Sequence, residues 1–300
     1  MASNPSSDRL AAGKNPAHRV DPLDPTRMTS LKHWGEPPEQ PGSDMDQRAT
    51  VECGWGRVIF GHTFASPAEI AEELRDEAPE RRDIALYVRD PHVVVAMAPQ
   101  HLFIDPSHTY RLDLGTLEWC TTGHELWRVR PVAGQDDTAI DRIYRSRRMV
   151  PATGFYSDRS RFGKGVEVLV AEDHASGAIL GAVTGIDHVR AFGDVDLGSS
   201  LWSLAVDPQC PHPGVGEGLV RALASGFAAR GRAFMDLSVM YDKTDAIGLY
   251  EKLGFVRVPV YCVKNKNPIN EWLFIGPDPA GELNVYARIL IEEARRRGTM

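Results

Sequence analysis

Hydrophobic spacing along the chain changes several times, and each change predicts an element. Residues 1–48 are rich in Pro, Ser, Asp and Arg and show no periodicity. Such a stretch buries too little apolar surface to offset its ordering entropy, which predicts a disordered tail. Order is expected to begin near Thr50, with a short strand over Gly56–Phe60. Ser66-Pro67 then reads as an N-cap and first helical residue, opening a helix through Leu74. The apolar runs Asp83–Val88 and His92–Met97 flank Asp90-Pro91 and read as neighbouring strands, with two more at Leu102–Ile104 and Thr109–Leu112. Residues 49–122 are thus expected to form a small α/β module.

A new pattern starts at Leu126 and runs to Cys262. A strand at Trp127–Val132 is followed by a polar turn and a helix with Ile140, Ile143 and Tyr144 on one face. Val166–Ala171 and Ala178–Ile186, joined by the turn Asp173–Gly177, read as an antiparallel hairpin. Strands at Ser200–Val206 and Phe234–Met240 bracket a helix whose apolar face carries Leu219, Val220, Leu223, Ala224 and Phe227, with Gly231 as its stop. A second helix carries Ala246, Leu249, Tyr250 and Leu253, ends at Gly254, and returns as a strand over Phe255–Cys262. Residues 263–300 read as a linker and an amphipathic helix containing Tyr286, Ile289, Leu290 and Glu293.

Composition narrows the picture. A net charge of −7 and a pI near 5.8 give no concentrated basic face for nucleic acid. Cys53, Cys120, Cys210 and Cys262 form no C-x-x-C pair, so no metal site is expected, and their scatter fits a reducing cytoplasm. No apolar run reaches the ~18 residues of a membrane span, and the polar first residues show no secretory signal.

The chemistry concentrates in Leu204-Ala205-Val206-Asp207-Pro208 and the turn Pro213-Gly214-Val215-Gly216-Glu217-Gly218. A strand ends, glycines follow and a helix begins. The first turn of a helix has unpartnered N–H groups and the positive end of the macrodipole, and glycines let a diphosphate approach them. A tight turn without a ligand would also place glycines there.

The order of elements, the text LAVDP…GVGEGLVRAL and the text DAIGLYEKLGF together resemble the GNAT superfamily of N-acyltransferases, over residues 126–262. The resemblance implies a mixed, mostly antiparallel sheet flanked by helices, an α/β (α+β) fold. It implies acetyl-CoA as acyl donor, with the pantetheine arm in a splay between the strands Leu201–Val206 and Phe234–Met240. Backbone groups of Leu204, Ala205 and Val206 would line that splay, and Gly214 with the amides of Val215, Gly216, Glu217 and Gly218 would hold the diphosphate. Tyr250 would protonate the departing thiolate; a core aromatic is the competing reading. Pro211 stands where the family often has Arg or Gln, and Lys243 where it often has Asn. The general base is not marked by any motif, and Asp187 and His188, after the hairpin's return strand, are the nearest titratable candidates.

The segments GWGRVIFGHTF, RDIALYVRDPHVVVAMAPQHLFIDPSHTYRL and IDRIYRSRRMVPATGFY resemble the GNAT-like half of the N-acetylglutaminylglutamine synthetase family, which joins such a half to an ATP-grasp ligase. The stretch LNVYARILIEEARRRG resembles the opening helix of that ligase half. This resemblance implies acetylation of the α-amine of glutamine or a glutaminyl dipeptide in osmolyte synthesis. An ATP-grasp ligase, as a further segment or a separate chain, is the implied partner. The alternatives are an enzyme acting on another small amine or a protein N-terminus, and a non-catalytic domain that binds CoA or docks a partner.

Overall fold

The computed structural model describes residues 45–117 and 124–274. The strands are β1 (Thr50–Glu52), β2 (Arg57–Phe60), β3 (Ile84–Leu86), β4 (Leu102–Ile104), β5 (Ser107–Asp113), β6 (Trp127–Pro131), β7 (Val166–Asp173), β8 (Ile179–Asp187), β9 (Gly198–Val206), β10 (Phe234–Met240), β11 (Val256–Val258) and β12 (Val263–Asn265). The helices are α1 (Pro67–Arg75), α2 (Pro91–Met97), α3 (Asp137–Ser146), α4 (His188–Phe192), α5 (Val215–Ala229), α6 (Thr244–Lys252) and α7 (Glu271–Phe274).

Two sheets form, ordered β1-β2-β3-β12-β4 and β11-β5-β10-β9-β8-β7-β6. The larger is antiparallel except for the pair β9–β10, so the expected mixed, mostly antiparallel sheet flanked by helices is present. Period-two alternation sorts side chains between layers. Val58, Phe60, Ile84 and Leu86 of the small sheet meet Val168, Val170, Ala182 and Trp202 of the large one, with α3 contributing Ile140, Ile143 and Tyr144. The alternate residues Ile59 and Ala85 face outward under α1 and α2. Leu169, Ala171, Val183 and Leu201 face the other way, against Leu219, Leu223 and Phe227 of α5. The result is a helix–sheet–sheet–helix stack.

Four local expectations change. His92–Met97 is helical: Pro91 opens α2 at its first turn, and Val94 is the one fully buried residue of the β-branched run. The strand expected over Phe255–Cys262 stops at Val258, because Pro259 has no N–H to give a ladder. The chain then crosses to the small sheet as β12, between β3 and β4. In the reverse direction, β5 leaves the small sheet to pair with β10 and β11. The sheets therefore divide neither at residues 122–126 nor at 262; each contains a strand from the segment expected to lie outside it.

Of the tail expected over 1–48, residues 45–48 are described and attached: Asp46 N–H donates to Phe192 O and Arg48 N–H to Thr63 O. Residues 1–44, Cys120 and the expected C-terminal helix lie outside the described residues. Cys53, Cys210 and Cys262 are free thiols. Among the described residues, no helix is long and apolar enough to cross a membrane and no His, Cys, Asp and Glu cluster suits a metal ion.

Candidate functional site

The site begins where two parallel strands part. β9 and β10 pair from Gly198 opposite Phe234 to Leu201 opposite Leu237, and no further. Past that point Trp202–Val206 stays against β8 while Ser238–Met240 stays against β5. The cause is a bulge in β9: two steps of β8, Ala182 to Thr184, face three steps of β9, Ala205 to Trp202. Ser203 absorbs the extra residue at φ 51. The Asp207 N–H donates to Leu180 O on β8 at 2.8 Å. Backbone polarity alternates along a strand, so Ala205 also faces β8, whereas Leu204 and Val206 turn their N–H and C=O groups toward the splay. Ala205, with its side chain in the inter-sheet core, is therefore removed from the set of cofactor-lining backbones.

The glycine-rich turn opens α5 beside this splay. Gly214 is the N-cap at φ +80, a conformation that favours glycine. The Gly218 N–H already donates to Gly214 O at 2.9 Å. This leaves the amides of Val215, Gly216 and Glu217, ahead of the first helical bond, to receive an anion; Gly218 is not among them. A Cβ on Gly216 would lie 3.5 Å from Val206 Cγ2 and 3.9 Å from Leu249 Cδ2, so this residue faces the groove between the end of β9 and α6. Gly218 is glycine for another reason. A Cβ there would come within 2.2 Å of the Trp127 ring. Glu217 bonds Arg221 and, at 2.7 Å, Lys252 of α6, which hold its carboxyl below the usual range, Lys252 first. The donor set, three convergent amides at a helix's positive end, fits a diphosphate.

Tyr250 projects from α6 into the core beneath this groove, 5% exposed and packed on Phe255 at 5.6 Å. Burial alone pushes its phenol well above the ordinary tyrosine range, so it stays protonated at neutral pH.

Asp187 and His188 are not at the splay. Asp187 lies opposite Ser199, six residues before Ala205, about 20 Å away at the rise of a strand. It is the N-cap of α4, accepting from the Arg190 N–H, and pairs with Arg230 and Arg232 at 3.3 and 3.2 Å. His188 is 0% exposed, with Nε2 2.9 Å from Ser200 Oγ, Nδ1 3.5 Å from Asp194, and its ring edge-on to Phe60. Both are committed to the packing at the closed end of the strand pair, so neither stands as the base that sequence proximity suggested.

Two arginines that sequence reasoning passed over reach the open end instead. Arg142 of α3 pairs with Asp207 at 2.5 Å, and Arg147, just past α3, donates from Nε to Val206 O at 2.7 Å. The signal was the basic run Arg142–Arg148, which had served only as part of a family resemblance.

No curated protein sequence matches the chain. Solved structures similar to it include a GCN5-related N-acetyltransferase from Kribbella flavida, at 15% identity over 70% of this chain and 81% of that one, with a TM-score of 0.45. Another GCN5-related N-acetyltransferase, from Sphaerobacter thermophilus, shows 18% identity over 63% and 61%, with a TM-score of 0.42. A tandem GNAT protein from the clavulanic acid biosynthesis pathway shows 15% identity over 67% and 69%, with a TM-score of 0.43. Likenesses this distant carry no residue's role across. The model of a family described as acetyltransferase (GNAT) domain matches residues 164–257, a stretch that contains the β9–β10 splay, the first turn of α5 and all of α6. Over those residues the chain is similar to a GNAT acetyltransferase domain.

Proposed function

We propose that this chain is an acetyl-CoA-dependent N-acetyltransferase whose acceptor is the α-amine of glutamine or a glutaminyl dipeptide. The observation that carries the transferase reading is the parting of β9 and β10 after Leu201 and Leu237, beside the unpartnered amides that begin α5. The thioester donor supplies an activated acyl carbon. The chain's part is to hold and to protonate. Leu204 and Val206 offer strand-edge groups to an extended amide-bearing arm, and Val215, Gly216 and Glu217 offer N–H groups to its diphosphate. Tyr250, kept protonated by burial, is the candidate donor of a proton to the leaving sulfur. Support for the glutamine acceptor is the sequence resemblance of residues outside the GNAT core, and the same resemblance makes an ATP-grasp ligase the proposed partner.

A second reading is favoured by one observation: the two titratable candidates for a base, Asp187 and His188, are buried away from the splay. A domain that binds CoA without turnover fits that. Thiol release from acetyl-CoA, followed with glutamine, glutaminylglutamine and unrelated amines, separates the readings. Release with the first two supports the proposal. Release only with other amines or with peptide N-termini moves the acceptor. Binding of acetyl-CoA with no release under any acceptor leaves the non-catalytic domain.

A further inference from the structure

The Val206 carbonyl is asked to do two things. On the acyl-CoA reading above it accepts a hydrogen bond from the donor's pantetheine arm, and in the structure it accepts from Arg147 Nε at 2.7 Å. A carbonyl oxygen has two lone pairs and can accept two donors, but the Arg147 guanidinium stands on the splay-facing side of this one, in the path the arm would take, so the two compete for space there. Arg147 is exposed, follows the C-terminus of α3, and belongs to the basic cluster Arg142, Arg145, Arg147 and Arg148, all exposed in a chain of net charge −7. The residue it touches is also the one nearest the anion-binding turn: the Val206 side chain lies 3.5 Å from where a Cβ of Gly216 would sit. The glycine motif itself brings no cation, since Pro211 occupies the position three residues before Gly214.

We propose that Arg147 is a ligand of the acyl donor supplied from outside the glycine motif. It rests on the Val206 carbonyl, yields it to the pantetheine arm, and turns its guanidinium to the diphosphate held at the start of α5. The pairing suits both partners, because a guanidinium presents a planar fork of donors that matches phosphate oxygens. The exchange also makes the arginine a discriminator. It opposes a donor that offers only a pantetheine arm and favours one that also brings a diphosphate.

The inference rests on the acyl-CoA reading, and the experiment keeps the two apart. Binding of acetyl-CoA and of S-acetylpantetheine, which has the arm and no diphosphate, is measured for the full chain and for Arg147→Ala, Arg147→Gln and Arg147→Lys. Calorimetry suits the first ligand and ligand-observed NMR the second. Circular dichroism confirms that the variants fold, as expected for an exposed side chain. Arg147→Ala and Arg147→Gln are expected to weaken acetyl-CoA roughly 10-fold, the loss of a charge-assisted phosphate contact, with a shallower salt dependence than the parent. Arg147→Lys is expected to retain part of the affinity. S-acetylpantetheine should bind the Ala variant as well as or better than the parent, because the competing donor is gone. Equal weakening of both ligands would show that Arg147 only shapes the cleft and would overturn the proposal, as would no change in either. A parent protein that binds neither ligand would overturn the acyl-CoA reading itself, and this inference with it.

Discussion

Asp236 is the most consequential single side chain for the wall of the splay. It lies on β10 with no exposed surface, and its carboxylate takes three hydrogen bonds. Arg111 on β5 donates from Nε and Nη2, each at 2.7 Å, and the Tyr87 hydroxyl donates at 2.7 Å from the end of β3 in the other sheet. Arg111 is nearly buried as well, its guanidinium 3.8 Å from the centroid of the Phe234 ring. Asp236→Ala removes the carboxylate with which that cation pairs and to which the phenol donates. Breaking a buried ion pair from one side costs about 3–5 kcal/mol, most of it the penalty on the charge left behind. At about 2–4 °C per kcal/mol for a chain of this size class, the melting temperature should fall by roughly 6–20 °C. Denaturant unfolding and calorimetry of the variant give both figures. The origin of the cost is tested by adding Arg111→Met: removing the cation should recover part of the loss. A cost below about 1 kcal/mol for Asp236→Ala, or strict additivity of the two substitutions, would refute the reasoning.

Tyr250→Phe keeps the ring packed on Phe255 and removes only the hydroxyl. If the phenol protonates the leaving thiolate, kcat should fall roughly 10²-fold with acetyl-CoA affinity unchanged in steady-state and calorimetric measurements, and a change within a factor of a few would make it a core aromatic. Gly216→Val should fill the groove beside Val206 and Leu249 and abolish measurable acetyl-CoA binding with little change in melting temperature. Gly218→Ala should do the reverse, costing about 1–3 kcal/mol by overpacking Trp127 while binding persists in the folded protein. Glu77 is pushed up to about 7 by burial, against the hydrogen bonds it accepts from Asp83 N and Asn267. A raised folded pKa means the group's contribution is fully present below about pH 4.5 and lost as pH rises through about 7. Unfolding free energy should therefore drop by about 1 kcal/mol between pH 5 and 8, after discounting the shift for a partly exposed carboxyl, and Glu77→Gln should flatten that slope.

What the sequence showed plainly was local. The hairpin β7–β8, the cap at Ser66 whose Oγ accepts the Glu69 N–H at 3.3 Å, and the stops at Gly231 and Gly254 depend on neighbours within a few residues. What it hid was decided at long range. Ser203 takes φ 51 because β9 must fit one residue more than β8 between shared pairs, and nothing about a serine announces that. His92–Met97 reads as a strand by composition, yet Pro91 starts a helix that packs Val94, with Val95 beside it, into the cluster on the small sheet. Asp187 and His188 looked available because they follow a strand end. The arginines that claim Asp187 lie more than forty residues later, and the phenylalanine that walls in His188 lies more than a hundred residues earlier.

The exchange of strands between the two sheets bears directly on the site. Ser238–Met240, the outer wall of the splay, has no partner on β9, and its strand pairing is on the other side, with Ser107–Thr109 of β5. The Ser238 hydroxyl donates to Ser107 Oγ at 2.7 Å, and the Tyr241 N–H to Pro106 O at 3.1 Å. Two strands that separate at one end stay apart only if each is pinned elsewhere. Here β8 pins one and the residues before 122 pin the other. The segment expected to form a separate small α/β module thus supplies the strand that holds the outer wall of the cleft. The Tyr87–Asp236–Arg111 contacts anchor the same wall just below the point of parting, so the geometry of the proposed acyl-donor cleft is set from the N-terminal sheet as much as from the residues that would touch the donor.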